Sequence, residues 1–294
     1  MGSSDKRVLL VDGNNYTYRG YYAIKEDMYT RDGVPTKAVR GFFTILHTDL
    51  RILRPTHLAV SFDRTPSARR LAIHPEYKGT RTHSDSKEVK PQMRMIRKLL
   101  RAAGIPVLGV KGEESDDILS TLAALFDERE YEVLISSTDK DFAQLVSSSI
   151  KLVEPRTRNI LGPRHVQTKF GVRPDQMHDF LCLMGDKIDN VPGVKNVAAK
   201  TASKLLGQYD TLNKIIKAAR RGEMTPALRR NLLEFKDSGQ IGITRELIRL
   251  DKAVNIKFHP SRFSLRKRER DDELIESLCH ELELAQTQRL IMEL

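Results

Sequence analysis

The sequence repeats one local pattern, in which a short apolar run ends near an aspartate and a stretch with helical spacing follows. The runs occupy residues 6–13, 56–63 and 130–141. Apolar runs of this length are typical of strands buried on both faces of a parallel sheet. The repetition predicts an α/β fold with a mixed, mainly parallel sheet and helices on both faces. Because sites in such sheets lie beyond the carboxyl ends of the strands, Asp12, Asp63 and Asp139 are expected at one edge.

A second acidic feature directly precedes an apolar helical run at residues 118–125. It contains Glu114, Asp116 and Asp117. One interpretation is ordinary N-terminal capping of a helix. The other is a bound hard cation, which offsets the repulsion between crowded carboxylates. Further carboxylates follow at Asp139, Asp141, Asp186 and Asp189. This recurrence favours the cation.

The residue types around these carboxylates narrow the choice of cation. The acidic groups have no nearby His or Cys partner, and all-oxygen ligand sets favour Mg²⁺ or Mn²⁺. Two such ions about 3.5 to 4 Å apart activate water and stabilise the leaving oxygen in phosphodiester hydrolysis. The pattern therefore predicts a two-metal nuclease.

The charge of the chain indicates its partner. A net charge of +11 on 294 residues attracts polyanions, so nucleic acid is the expected partner. A membrane surface is the alternative, but no apolar run is long enough for a membrane span and no basic amphipathic helix has an aromatic face. Cys182 and Cys279 are far apart and lack zinc-site spacing. With an N-terminus unlike a signal peptide, this predicts a cytoplasmic protein with reduced thiols.

Three features each allow two interpretations. The basic residues between 64 and 101 are either a solvated helical face or a segment that orders on phosphates. Arg19, in a tyrosine-rich stretch, either packs on an amphipathic helix or meets a phosphate and a base. Gly41 lies in the helical pattern 36–53, where glycine is costly unless its backbone approaches another group closely.

Beyond Pro174 the pattern changes to helices and tight turns, which predicts a subdomain boundary. Helical spacing is found at residues 176–184, 197–206, 211–221 and 229–235, and the tail from 271 to 294 has the pattern of an amphipathic helix. Residues 253–258 have the composition of a strand. Lys195, Lys200 and Lys204 suit a helix N-terminus presented to a phosphate backbone.

Several of these segments occur in the order found in the 5′ nuclease family, which the chain resembles. They are residues 11–13, 61–63, 77–81, 114–117, 137–141 and 184–193. The family includes flap endonucleases, the N-terminal 5′-to-3′ exonuclease domain of bacterial DNA polymerase I and stand-alone phage enzymes. The resemblance implies a PIN-like core at residues 1–174 with a basic helical arch at about 75–100. It also implies a helix-three-turn-helix DNA-binding region at 175–294, with C-terminal elements returning to the core.

The resemblance also implies roles for individual residues. The first metal cluster would contain Asp12, Asp63, Glu114 and Asp116, and the second Asp116, Asp139, Asp141 and Asp189. Asp117 and Asp186 would be further inner- or outer-shell carboxylates. Lys78 and Arg81 would stabilise charge on the scissile phosphate. The implied nucleic-acid-binding residues are Arg19, Gly41, Tyr77, Lys78, Arg81, Lys195, Asn196, Lys200 and Thr201. Of these, Tyr77 would stack a displaced nucleotide, and Gly41 would lie where substrate passes close to the backbone.

The resemblance further implies a K⁺ ion at the helix-three-turn-helix. Relatives usually have a Gly-x-Gly hairpin there, whereas this chain has Asn196, Val197 and Ala198. Because Asn accepts a positive φ better than most residues, the hairpin is expected to persist.

The resulting hypothesis is a structure-specific 5′ nuclease that acts on flaps, nicks or RNA-primed ends in replication or repair. The expected protein is a monomer that a polymerase could recruit. One alternative is a non-catalytic module that binds branched DNA, and another is a PIN-type ribonuclease.

Overall fold

The computed structural model describes residues 6–79, 86–154 and 156–294. The strands are β1 (Arg7–Asp12), β2 (His57–Ser61), β3 (Val107–Leu108), β4 (Glu132–Ser136), β5 (Ile150–Val153) and β6 (Ile160–Leu161). The α-helices are α1 (Gly13–Ala23), α2 (Lys37–Leu53), α3 (Ala68–Ile73), α4 (Ser86–Ala102), α5 (Ser115–Asp127), α6 (Pro163–Phe170), α7 (Met177–Met184), α8 (Ala199–Tyr209), α9 (Leu212–Arg221), α10 (Pro226–Asp237), α11 (Gln240–Ile248), α12 (Asp272–Glu281) and α13 (Ala285–Met292). Short 3₁₀ helices occupy Lys140–Leu145, Pro174–Gln176 and Pro260–Phe263.

The strands form one six-stranded sheet in the order β3-β2-β1-β4-β5-β6. All neighbouring strands are parallel except β5 and β6, which are antiparallel. Strand β1 is central, with β2 on one side and β4 on the other. The predicted mixed, mainly parallel sheet is therefore confirmed.

Helices cover both faces of this sheet, as predicted. Leu9 and Val11 of β1 belong to a core cluster that also contains residues of α2, α4, α12 and α13. Val8 and Leu10, which alternate with them, belong to a second cluster built mainly on α5. All four side chains are fully buried. This explains why the strand has an uninterrupted apolar run rather than alternating polarity.

The part of the chain after β6 that the structure describes contains helices and no strand. Helices α7 to α11 share a third core cluster, whereas α12 and α13 pack in the cluster of β1, α2 and α4. The predicted strand at residues 253–258 is wrong, because these residues pair with no strand; Val254 N instead donates to Thr121 Oγ1 of α5 at 3.1 Å. The tail forms two helices, α12 and α13, rather than one. The chain turns between them at Glu283, which has φ +54°.

The predicted arch at about residues 75–100 lies partly outside the described residues, which omit 80–85 and therefore Arg81. Helix α4 is its described C-terminal part. No helix in the described ranges is long and apolar enough to cross a membrane.

Gly41 was predicted to lie where substrate passes close to the backbone, and that contact stays a prediction. Gly41 is buried where α2 crosses α1, and a Cβ built on it would lie 2.2 Å from Gly20 O. A Cβ on Gly20 would likewise lie 2.5 Å from Phe42 N. The two glycines thus let the helix backbones touch, so the close approach inferred from the sequence is between helices.

Replacing Gly41 by alanine should therefore destabilise the fold. The added methyl forces α1 away from α2, and overpacking of this kind costs about 1–3 kcal/mol. Urea denaturation should show this as a lower midpoint. Gly207→Ala in α8 is the matched control, because the added methyl would have no heavy atom from another part of the fold within 4 Å, and it should leave the midpoint unchanged or slightly higher. Equal midpoints for Gly41→Ala and the wild type would contradict the packing argument.

Candidate active site

Three aspartates at or just beyond the ends of strands each anchor the start of a helix. Asp12 caps α1, accepting from Asn15 N at 3.0 Å. Asp139 caps the 3₁₀ helix after β4, accepting from Asp141 N at 2.8 Å. Asp63 accepts from Ser115 N at 2.7 Å, which joins the end of β2 to the start of α5. Because each carboxylate is held by a backbone amide, the strand ends set their positions.

These aspartates line one cleft of about 750 Å³. Asp116 and Lys78 line it as well, together with Asn14, Asn15, Tyr18, Arg64 and Arg97. Strands β1, β2 and β4 are adjacent in the sheet, so their carboxyl ends open on the same cavity. The structure thus brings together side chains separated by more than a hundred residues.

The cleft carboxylates repel one another. Burial, together with the charges of Asp63 and Asp139, raises the pKa of Asp12 to about 6. Burial and the charges of Asp139 and Asp12 raise the pKa of Asp116 well above its ordinary value. Burial and the charge of Asp139 raise the pKa of Asp141 to about 8. A bound cation would relieve this repulsion between the carboxylates.

Two other predicted ligands have basic partners. Burial alone would raise the pKa of Glu114, but Lys78, whose Nζ is 2.7 Å from Glu114 Oε1, and Arg70 outweigh it and lower the pKa. Burial is likewise outweighed at Asp186, where Lys140 Nζ donates at 2.7 Å and lowers the pKa of the carboxyl.

The donor chemistry of the cleft fits Mg²⁺ or Mn²⁺, since its acidic ligands are carboxylates that lie close enough to perturb one another's pKa. The carboxylates do not form a complete coordination site as they stand. No three His, Cys, Asp or Glu side chains within the described ranges are arranged to hold one ion. Instead, Lys78 and Asn14 engage the outer carboxylates: Asn14 Nδ2 donates to Asp63 Oδ2 at 2.5 Å.

Asp117, predicted as an inner- or outer-shell carboxylate, is bound by protein donors on both of its oxygens. It is fully buried and receives both Nη groups of Arg70, at 2.5 and 3.0 Å. Asp251 N also donates to its Oδ1 at 2.8 Å. Because protein donors occupy both oxygens, Asp117 holds the fold behind the cleft.

Lys78 is held by its backbone as well as its side chain. Lys78 N donates to Asp189 O at 2.9 Å, and its φ of +56° turns the chain toward the cleft. Its Nζ lies 4.0 Å from Asp189 Oδ2. This contact brings Asp189, from the turn after α7, to the same side chain that holds Glu114.

Tyr77 and Arg19 have local contacts that the sequence did not indicate. Tyr77 is only 8% exposed, and its hydroxyl donates to Glu114 Oε2 at 3.1 Å. Its ring packs in the helical core cluster, so stacking on a nucleotide stays a prediction that requires the ring to move. The guanidinium of Arg19 lies over the ring of Tyr16, 4.9 Å from its centroid.

The turn between α7 and α8 carries the remaining predicted residues. A Cβ on Gly193 would lie 2.3 Å from Met184 C, so this turn closes tightly. Asn196 has φ +61°, so this asparagine takes the positive φ expected of it at the hairpin. Lys195, Asn196 and Lys200 are exposed, and Thr201 is half-buried. Helix α8 begins without a side-chain cap, which leaves N–H groups in its first turn for a phosphate.

Comparison with known proteins identifies the family. The model described as "5'-3' exonuclease, N-terminal resolvase-like domain" matches residues 7–171, and the one described as "5'-3' exonuclease, C-terminal SAM fold" matches residues 172–271. The chain belongs to the 5′-3′ exonuclease family. Its activity is accordingly that of a 5′-3′ exonuclease, a phosphodiester hydrolase.

Relatives within the 5′-3′ exonuclease family include stand-alone proteins and longer polymerases. The chain is 36% identical over 212 residues to the 5'-3' exonuclease of Aquifex aeolicus, which is 72% of this chain and 73% of that one. It is 37% identical over 273 residues to DNA polymerase I of Mycobacterium tuberculosis. That match covers 90% of this chain but only 29% of the polymerase.

Solved structures share the fold of this exonuclease family member at low identity. The zinc-bound 5'-exonuclease of T5 superposes with a TM-score of 0.69 at 19% identity, covering 98% of this chain and 99% of that one. Flap endonuclease-1 from Methanococcus jannaschii gives a TM-score of 0.61 at 14% identity, covering 98% and 91%. T5 structures with DNA and metal ions, and Rad2 with DNA, have the same fold.

Four residues near the cleft were not predicted from the sequence to have a role at the site. They are Asn14, Asn15, Lys140 and Arg70. Asn14 and Asn15 directly follow Asp12 and Gly13, so their place after a strand-ending aspartate was a usable signal. Arg70 had no such signal.

Proposed function

We propose that the chain is a structure-specific 5′ nuclease that cleaves DNA at 5′ flaps, nicks and RNA-primed ends by a two-metal mechanism in replication or repair. The observation that carries this proposal is the cleft itself. Its buried carboxylates come from separate strand ends and perturb one another's pKa values. Such a cleft in a chain with net charge +11 suits a polyanionic substrate and divalent cations.

The chain's residues divide into cation-holding and phosphate-holding groups. Asp12, Asp63, Glu114 and Asp116 would hold one ion, and Asp116, Asp139, Asp141 and Asp189 the other, with Asp186 behind them. When bound, two divalent ions supply an activated water and a counter-charge for the leaving oxygen. Lys78, whose ammonium reaches both Glu114 and Asp189, would donate to the scissile phosphate and stabilise its developing charge. Arg81 has the same proposed role.

The turn between α7 and α8 would hold the duplex. Lys195, Asn196, Lys200 and Thr201 lie on it or on the first turn of α8, where a phosphate backbone can accept from free N–H groups. The retained positive φ of Asn196 supports a K⁺ ion at this hairpin. Duplex affinity that is higher in K⁺ than in tetramethylammonium, at equal ionic strength, would support this ion, and equal affinity would contradict it.

A second cavity of about 370 Å³ adjoins the cleft and would hold the 5′ single strand. Its charged lining residues are Arg64, Arg94, Arg97 and Arg101. No carboxylate lines it among the described residues, and none of these arginines forms an ion pair with a described acidic residue. Uncompensated like charges of this kind favour a bound polyanion.

The arginine cavity leads to a test that separates the single strand from the duplex. Arg101→Gln should raise KM for a 5′ flap and reduce the salt dependence of its binding by about one unit of slope, because one phosphate contact is lost. Binding of a nicked duplex without a flap should not change. Lys98→Gln, an exposed residue on the same helix that lines neither cavity, is the control. If Arg101→Gln weakened binding of the flap and of the nicked duplex equally, the cavity would not bind the single strand specifically.

The experiment that tests the function compares a 5′-labelled flap with a matched 3′ flap, in Mg²⁺ and in EDTA, at nucleotide resolution. Metal-dependent cleavage of the 5′ flap alone, near the junction, is the expected result. Tight binding without cleavage would favour the non-catalytic module. Preference for a matched RNA flap would favour the PIN-type ribonuclease.

A further inference from the structure

Arg70 joins parts of the molecule that are distant in the sequence. It lies on α3 and is only 2% exposed. Nη1 donates to Glu114 Oε2 at 2.7 Å, and the two Nη groups bind both oxygens of Asp117. Nε donates to Leu247 O at 2.8 Å, and Nη2 donates to Arg249 O at 3.0 Å. These contacts occupy all the N–H directions of the guanidinium fork.

The two carbonyls belong to the end of α11. The last carbonyls of a helix lack partners within the helix and carry its negative dipole end, so a cation placed there stabilises it. Arg70 supplies that cation from the core side. Asp117 extends the connection, because it also accepts from Asp251 N at 2.8 Å, just beyond the helix.

Helix α11 is tied in turn to the elements proposed to hold the duplex. Thr244 Oγ1 donates to Pro192 O at 2.8 Å, in the turn between α7 and α8. Arg245 O lies 3.1 Å from His178 Nε2, and the Arg245 guanidinium lies 3.7 Å from Asp179 Oδ1, both on α7. A displacement of the turn or of α7 is therefore passed to the carbonyls that Arg70 holds.

We propose that Arg70 is a positioning residue that couples the seating of helices α7 to α11 on duplex DNA to the placement of the Glu114 carboxylate in the cation site. This inference rests on the proposed function of both regions. Glu114 has one oxygen on Lys78, which faces the cleft, and the other on Arg70 and the Tyr77 hydroxyl. The orientation of its carboxylate toward an ion therefore depends on where α11 holds the guanidinium.

Neighbouring Arg69 provides a matched control. It docks the same helix end, donating to Glu246 O at 2.6 Å and to Arg249 O at 2.9 Å. The described carboxylates nearest to it are those of Glu246, at 3.6 Å, and Asp117, at 3.8 Å, and it forms no ion pair with Glu114. Arg69→Lys and Arg70→Lys both keep the positive charge but lose the planar fork. Only the second variant changes the support of Glu114.

The test measures cation binding and duplex binding separately. Arg70→Lys should raise the Mg²⁺ concentration for half-maximal flap cleavage by about tenfold or more, as for other residues that orient metal ligands, and should lower kcat rather than raise KM. Without DNA, it should also weaken Ca²⁺ binding measured by calorimetry. Its affinity for duplex in EDTA should stay within about twofold of wild type. Arg69→Lys should match wild type in cation binding.

Some outcomes would overturn the coupling and leave the proposed function intact. Weaker duplex binding with an unchanged Mg²⁺ requirement would make Arg70 only an anchor for α11, as would equal effects of the two variants on cation binding. An inactive wild type would instead defeat the proposed function, and calorimetry would still report on Arg70.

A measurement on the wild type covers the case in which Arg70→Lys does not fold. Flap duplex in EDTA should slow hydrogen exchange at the Asp251 amide and in the first turn of α5. Slowed exchange confined to α7 to α10 would overturn the coupling.

Discussion

Replacing Asp116 by asparagine should lower flap cleavage by about a thousandfold or more, because the side chain belongs to both proposed cation sites. Loss of a ligand that two ions share removes about 4 kcal/mol of stabilisation from the transition state. Single-turnover cleavage in Mg²⁺ measures the effect. Asp116→Asn should also leave the protein as stable to heat as wild type or more so, since it removes one of several buried like charges.

Glu128→Gln, at the other end of α5, is the control for this substitution. Glu128 is exposed and lies outside the cleft, so its variant should cleave at the wild-type rate. Cleavage by Asp116→Asn within tenfold of wild type would contradict the shared-ligand role. Unfolding of this variant would contradict the repulsion argument.

Replacing Lys78 by methionine should lower kcat by about a hundredfold to a thousandfold with little change in KM. The expectation follows from a donor that acts on charge developing in the transition state. Methionine keeps an unbranched side chain of similar length but removes the ammonium, which lies 5.2 Å from the centroid of the Tyr77 ring. Glu114 keeps its contact with Arg70 in this variant, so the carboxylate does not lose its buried partner.

Lys78→Arg and Lys140→Met serve as comparisons for Lys78→Met. The arginine variant keeps the charge and should recover part of the rate. Lys140 pairs with Asp186 behind the proposed ligands, so its loss should have a smaller effect on kcat. A Lys78→Met variant whose KM rises while kcat stays constant would assign Lys78 to ground-state binding instead.

The gathering of the aspartates at one edge of the sheet was predictable, because it follows from the order of the strands alone. Parallel strands that each end near an aspartate bring those side chains to one edge whatever the details of packing. The partners of the carboxylates were not predictable. Arg70 stands in a basic segment where most charges are solvated, and its burial depends on Asp117 and on α11, which lie far along the chain.

Gly41 and residues 253–258 show a second limit on what the sequence can predict. A glycine inside a helix indicates that something approaches closely, but not whether the neighbour is a helix or a ligand. The neighbour here is Gly20. A β-rich composition indicates an extended chain, but a strand also needs a free sheet edge, and Val254 N in this segment donates to a side chain of α5 instead.

The central place of β1 has a consequence for the order in which the protein matures. Its neighbours are β2 and β4, so β1 of a chain emerging from the ribosome stays half-paired until residue 136 has been made. The last proposed ligand, Asp189, comes later still. Contacts this far apart in sequence form slowly. Hydrolytic competence should therefore not appear before Asp189 has been made, and a nascent or truncated chain that ends earlier would not cut nucleic acid even with its sheet complete.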